Sequence, residues 1–116
     1  MARKRASVSS DLVPGQKGKV ASLVSYQTGS VVSRAIISDK AGTVTVFAFD
    51  EGEGLSEHIA PYDALLQLLE GEAEVTVAGN GNVMEQGDVI ILPAGKPHAV
   101  QALTKCKILL TMIRSK

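Results

Sequence analysis

Residues 87–98 read Gly87-Asp88-Val89-Ile90-Ile91-Leu92-Pro93-Ala94-Gly95-Lys96-Pro97-His98. The Gly-Asp pair marks a turn, and the four apolar β-formers after it suit a short buried strand. Pro93 and Pro97, with Gly95 between them, cannot continue a helix or sit inside a sheet, so they make a rigid corner. His98 leaves that corner at the head of a further run, His98 to Leu103. Strand, corner and strand in so short a stretch point to an all-β chain.

The flanking sequence repeats the pattern. Glu72 to Val77 alternates polar and apolar residues, as a strand wetted on one face does. Ala78-Gly79-Asn80-Gly81-Asn82 follows, and its Asn-Gly pair predicts a tight primed turn there, with Val83 to Gln86 as the returning strand. Upstream, strands are expected over about Lys19–Val24, Ser30–Ile37 and Thr43–Phe49, then a loop from Asp50 to Glu57. The carboxylates of that loop, Glu51, Glu53 and Glu57, read as solvated. Ala64 to Leu69 is apolar at every position but Gln67, and its length before Glu70-Gly71 favours a strand over a helix. Lys107 to Ile113 closes the series. Strands this numerous in 116 residues must hide their edges, which a closed barrel or two-sheet jelly roll does.

The spacing Gly87-x5-Pro93-x-Gly95-x2-His98 resembles the second motif of the cupin superfamily, although the usual Asn falls on Ala102. Gly52-x5-His58, with Leu69-Glu70-Gly71-Glu72 at the far end, resembles the outline of the first motif. The resemblance covers roughly Thr43 to Ile113. It implies a single-domain cupin β-barrel, a double-stranded β-helix of jelly-roll type. Ser9, Ser10 and Pro14-Gly15 make residues 1–17 read as a partly irregular N-terminal arm, the barrel taking 18–116. Among members of this superfamily are metal-dependent dioxygenases and isomerases, sugar-binding modules and storage proteins, so function must be read from the site.

A typical cupin holds a divalent ion on three histidines and a glutamate. Here the second His of the first motif falls on Ala60 and the glutamate on Ala64, which leaves His58 and His98, the only histidines in the chain. Asp63 is the residue that would complete a metal set with them for Fe, Mn, Ni or Zn. If His58 and Ala64 point inward, strand alternation sends Asp63 outward unless a bulge near Pro61 shifts the register. The metal-free reading therefore comes first: His58 and His98 share an otherwise apolar cavity and bind a small polar ligand, with Tyr62 at the mouth. A metal-dependent enzyme of dioxygenase or isomerase type is the alternative, and a regulatory or structural dimer module the third reading.

Twelve Lys and Arg balance twelve Asp and Glu. Zero net charge argues against nucleic acid or an anionic membrane as partner, and Arg3-Lys4-Arg5 reads as a solvated tail. No apolar run reaches the length that spans a bilayer, and no signal-peptide pattern opens the chain, so the cytoplasm is the expected compartment. Cys106 is the single cysteine and excludes an intrachain disulfide. It is expected half-buried on a strand. Leu65 and Leu69 have the opposite parity to Leu66 and Leu68, so this strand is apolar on both faces, as is Ile108 to Ile113. Something must cover the outer face, and a two-fold homodimer with these strands near the contact is expected.

Overall fold

The structure is a computed structural model that describes residues 7–8 and 12–114. The basic cluster Arg3-Lys4-Arg5 and most of the first half of the expected arm lie outside the described residues. Among the described residues, ten strands make two antiparallel sheets. In chain order they are β1 (Ser7–Val8), β2 (Val31–Asp39), β3 (Gly42–Phe49), β4 (Gly54–Ile59), β5 (Ala64–Glu70), β6 (Ala73–Val77), β7 (Asn80–Met84), β8 (Val89–Leu92), β9 (Pro97–Ala102) and β10 (Cys106–Ile113). One sheet runs β1-β2-β3-β10-β5-β8 and the other β4-β9-β6-β7. The inner faces of both carry the main core: Phe49, Leu66, Leu68, Val75, Val100 and Ile108 are buried in one cluster. Burial of these side chains is the dominant stabilising term, at roughly 1.5–3 kcal/mol each. No helix among the described residues is long and apolar enough to cross a membrane.

Register follows from the alternation in sequence. Ile108 pairs with Phe47 on one side and Leu68 on the other, and Leu110 pairs with Leu66, all facing inward. Leu109, paired with Val46, then faces outward by the period of two. That outer face is not bare. Leu23, Val24, Ile36, Val46 and Ala48 form a second buried cluster, with Leu12, Val20, Tyr26 and Leu109 packed against it. Residues 12–26 thus cover the part of the outer face over β3 and β10.

Four local expectations are corrected. Lys19–Val24 is not a strand: Val20–Leu23 forms one turn of 3-10 helix. Val20 and Leu23, spaced i and i+3 in that turn, and the extended Val24 after it pack on the sheet rather than in its ladder. The 50–57 loop is shorter than expected, because β4 already begins at Gly54. As an edge strand exposed at all but one position, β4 lacks the apolar alternation that announces a strand. The β6–β7 turn is Ala78-Gly79, not Asn80-Gly81, since Val77 pairs with Asn80. Ala78 N–H donates to Pro97 O at 2.8 Å, so the chain turns back level with the start of β9. Ala78 and Gly79 take the positive φ angles of 49° and 83° that a primed two-residue turn demands. Cys106, finally, is fully buried rather than half-buried.

Candidate functional site

The corner over residues 93–97 is tied to the end of β4 and the segment after it. Gly95 N–H donates to Ala60 O at 2.8 Å, and Ala94 N–H donates to Asp63 Oδ1 at 2.8 Å. Gly87 and Gly95 both hold positive φ, 92° and 78°, where a side chain would be strained. These fixed turns deliver His98 to the first positions of β9, directly opposite His58 on β4.

A bulge makes that pairing productive. Leu55 pairs with Val100 and His58 with His98, so three steps on β4 match two on β9. Regular alternation would put Leu55 and His58 on opposite faces; the extra residue lets both face inward. Their rings meet. His58 Nε2 and His98 Nε2 are 3.1 Å apart, and the ring planes cross at 70° with centroids 4.3 Å apart. Each Nδ1 is held by backbone two residues upstream, His58 by Ser56 O at 3.0 Å and His98 by Lys96 O at 3.3 Å. His98 is 6% exposed, the only buried polar or charged residue among those described. Burial first and the neighbouring charge of His58 second disfavour its imidazolium, so it titrates below the usual histidine value despite the Lys96 carbonyl.

Both rings border a cavity of about 240 Å³ between the sheets. Phe47, Leu66, Leu92, Val100, Ile108, Leu110 and Met112 make its walls, with Leu55, Ala60 and Ala64 completing the lining. The two imidazoles are its only polar side chains. Ala60 and Ala64 leave open the volume that larger residues would fill. Phe47 and Met112 went unsuspected from sequence; both share the inward parity of the buried residues beside them on β3 and β10, and that was the available signal.

Tyr62 and Asp63 are placed elsewhere. Tyr62 is half-buried and does not line the cavity. Asp63 is exposed, and its carboxylate caps Ala94 N–H. The register shift lies upstream of His58 rather than near Pro61, so it does nothing to turn Asp63 inward. This bears directly on a metal. Nδ1 of each histidine engages a carbonyl, as in many imidazole ligands, but two nitrogens without a carboxylate fall short of the three or four protein ligands of a divalent transition-metal site. No group of three or more His, Cys, Asp or Glu among the described residues is arranged to hold a metal ion. The donor set does not fit.

The family model described as "Cupin domain" matches residues 45–112, more than half of the chain. Among solved structures, a conserved protein of unknown function from Streptococcus pyogenes is 25% identical, with a TM-score of 0.88 over 100% of this chain and 99% of its own. A cupin superfamily protein from Desulfitobacterium hafniense is 28% identical, with a TM-score of 0.84 over 90% and 95%. A cupin 2 conserved barrel domain protein from Leptotrichia buccalis is 36% identical with a TM-score of 0.78, over 81% of this chain but 46% of its own. No curated protein matches the chain.

Proposed function

The chain belongs to the cupin family, and from that premise we propose that it binds a small molecule in the cavity between its sheets, with the polar end of the ligand on His58 and His98. The observation that carries this reading is the cavity itself: about 240 Å³ of space between the sheets, apolar except for two imidazoles that touch. Pockets of this kind, largely apolar with a few convergent polar groups, are the usual form of small-molecule sites. The lining refines the expected ligand. Ten of the twelve lining residues offer only hydrocarbon or thioether, so the guest is chiefly apolar and polar at one end.

The reading includes a two-fold homodimer. Residues 12–26 cover the outer face over β3 and β10, but Leu65 on β5 and its partner Ile91 on β8 stay exposed, as does Val89 beside them. A second copy across these strands would remove them from water. A solution mass of 12.2 kDa at micromolar concentration rejects the dimer.

Carbon-13 methyl spectra test the cavity. Toluene, a probe of suitable size, is expected to shift the methyls of Leu66, Leu110 and Met112 saturably. Ala64→Leu fills the space and should abolish the shifts while the fold persists. Shifts that survive in the filled variant place the guest elsewhere. If no shift appears at the solubility limit of toluene, the barrel is a dimerisation or regulatory scaffold and the binding reading fails.

A further inference from the structure

The hydrogen-bond pattern around the histidine pair specifies what the ligand must bring. A carbonyl oxygen only accepts. With Nδ1 of His58 at 3.0 Å from Ser56 O and Nδ1 of His98 at 3.3 Å from Lys96 O, the tautomer that satisfies both carbonyls puts the single proton of each neutral ring on Nδ1. Both Nε2 atoms are then bare acceptors, and they face each other at 3.1 Å. Two lone pairs at that separation repel unless a donor stands between or beside them.

We propose that the donor is the ligand's own head group, a weakly acidic hydroxyl such as that of a phenol, an enol or an undissociated carboxylic acid, carried on an apolar body of about one ring. The assignment rests on the cavity being the binding site. An oxygen set at ordinary hydrogen-bonding distance from one Nε2 reaches the other as well, because the two atoms are so close. Each alternative source of charge or protons meets an obstacle. An extra proton on the pair sets a positive charge against the buried His98 ring, and no carboxylate lines the cavity to balance it. An ammonium head group brings the same unbalanced charge. A carboxylate anion brings two more acceptors to a place that already has two. A neutral hydroxyl acid supplies the missing proton and no net charge.

The size agrees with the body proposed. An apolar cavity of about 150 Å³ accommodates benzene, so 240 Å³ takes a single ring with a small substituent. Phe47 on the wall, stacked on Phe49 at 5.8 Å, presents an aromatic surface to such a ring.

The test compares phenol, anisole and toluene on the intact chain, with a chelator present, reading cavity methyls and the imidazole nitrogens by NMR. Phenol should bind at least about tenfold more tightly than toluene, which has nearly the same shape and no donor, and than anisole, which keeps the oxygen but carries a methyl group in place of its proton. The nitrogen spectrum of the free protein should show Nδ1–H in both rings, and phenol should move the Nε2 resonances. If all three probes shift the cavity methyls and phenol has no advantage, the hydroxyl assignment is overturned while the cavity reading stands. If none shifts them, both fall together. A proton found on either Nε2 in the free protein removes the basis of the assignment.

Discussion

On the inner face of the six-stranded sheet, Leu66, Ile108 and Leu110 border a void whose only polar side chains are two imidazoles in contact with each other. On the outer face, Val46, Ala48 and Leu109 lie under residues 12–26, and the polar groups there satisfy one another. Tyr26 Oη donates to Glu70 Oε2 at 2.7 Å, Lys107 Nζ donates to Ala21 O at 2.6 Å, and Lys107 approaches Glu70 Oε1 at 4.0 Å. Lys107 also stands 5.0 Å from the centre of the Tyr26 ring. Burial and the adjacent Glu70 carboxylate push the Tyr26 phenol far above its usual value, so it remains a donor at any physiological pH. The difference separates structure from function on one sheet. On the outer face a closed set of partners holds a segment in place, whereas on the inner face two imidazoles border empty space, which is the ground of the proposed binding site.

The largest effects should come from the packed part of the inner face. Leu68 is fully buried, pairs with Ile108 and does not line the cavity, so Leu68→Ala opens a new hole in dense packing. A loss of about 2–5 kcal/mol is expected from denaturant unfolding. Leu110→Ala, at the cavity wall, should cost clearly less, because one side of that leucine already lacks neighbours. Equal losses at the two positions would mean that the void is filled in solution, and the contrast between the faces would collapse.

The outer clasp comes next. Tyr26→Phe removes the hydroxyl that reaches Glu70, and the half-exposed carboxylate can turn to water. The expected loss is about 1 kcal/mol, the usual net value of one hydrogen bond. Faster amide exchange should accompany it in residues 20–26, with phenol or toluene affinity unchanged. A change in affinity would show that the two faces communicate, contrary to their separation.

Much of this arrangement is legible in the sequence, and the illegible part has a common cause. Gly87, Pro93, Gly95 and Pro97 act locally, through dihedral angles the residues themselves restrict, so the corner before His98 can be read directly. The spacing from Gly52 to His58 carries the first histidine in the same way. The bulge between Leu55 and His58 is different: it exists only relative to β9, and nothing within 54–59 announces the extra residue. The β6–β7 turn fails for the same reason. Asn80-Gly81 has the stronger intrinsic preference, but the level of Pro97 across the sheet places the reversal at Ala78-Gly79. Whether neighbours would fill the space left by Ala60 and Ala64 depends on packing across both sheets, and periodicity carries no information on it.

The smallest expected effect is a pH dependence that sharpens the contrast through His98. Its proton affinity is lowered in the folded chain by burial and by His58, so over a window beginning near the ordinary histidine value of about 6.5 and running downward, the unfolded chain binds more protons. Stability therefore rises with pH across that window, is complete above it, and is lost as pH falls through the lowered value. Asp50 acts with the same sign but only in stronger acid, where its carboxylate, held low by the N–H groups of Gly29 and Glu51, takes up a proton. Tyr26 and Cys106, the latter pushed up to about 11 by burial, are uncharged throughout this range and contribute nothing to it. Urea midpoints at pH 7.5 and 5 should thus differ in the parent chain and converge in His98→Leu. If the variant keeps the full slope, the proton uptake belongs to other groups and the buried imidazole is not the inner face's titrating element.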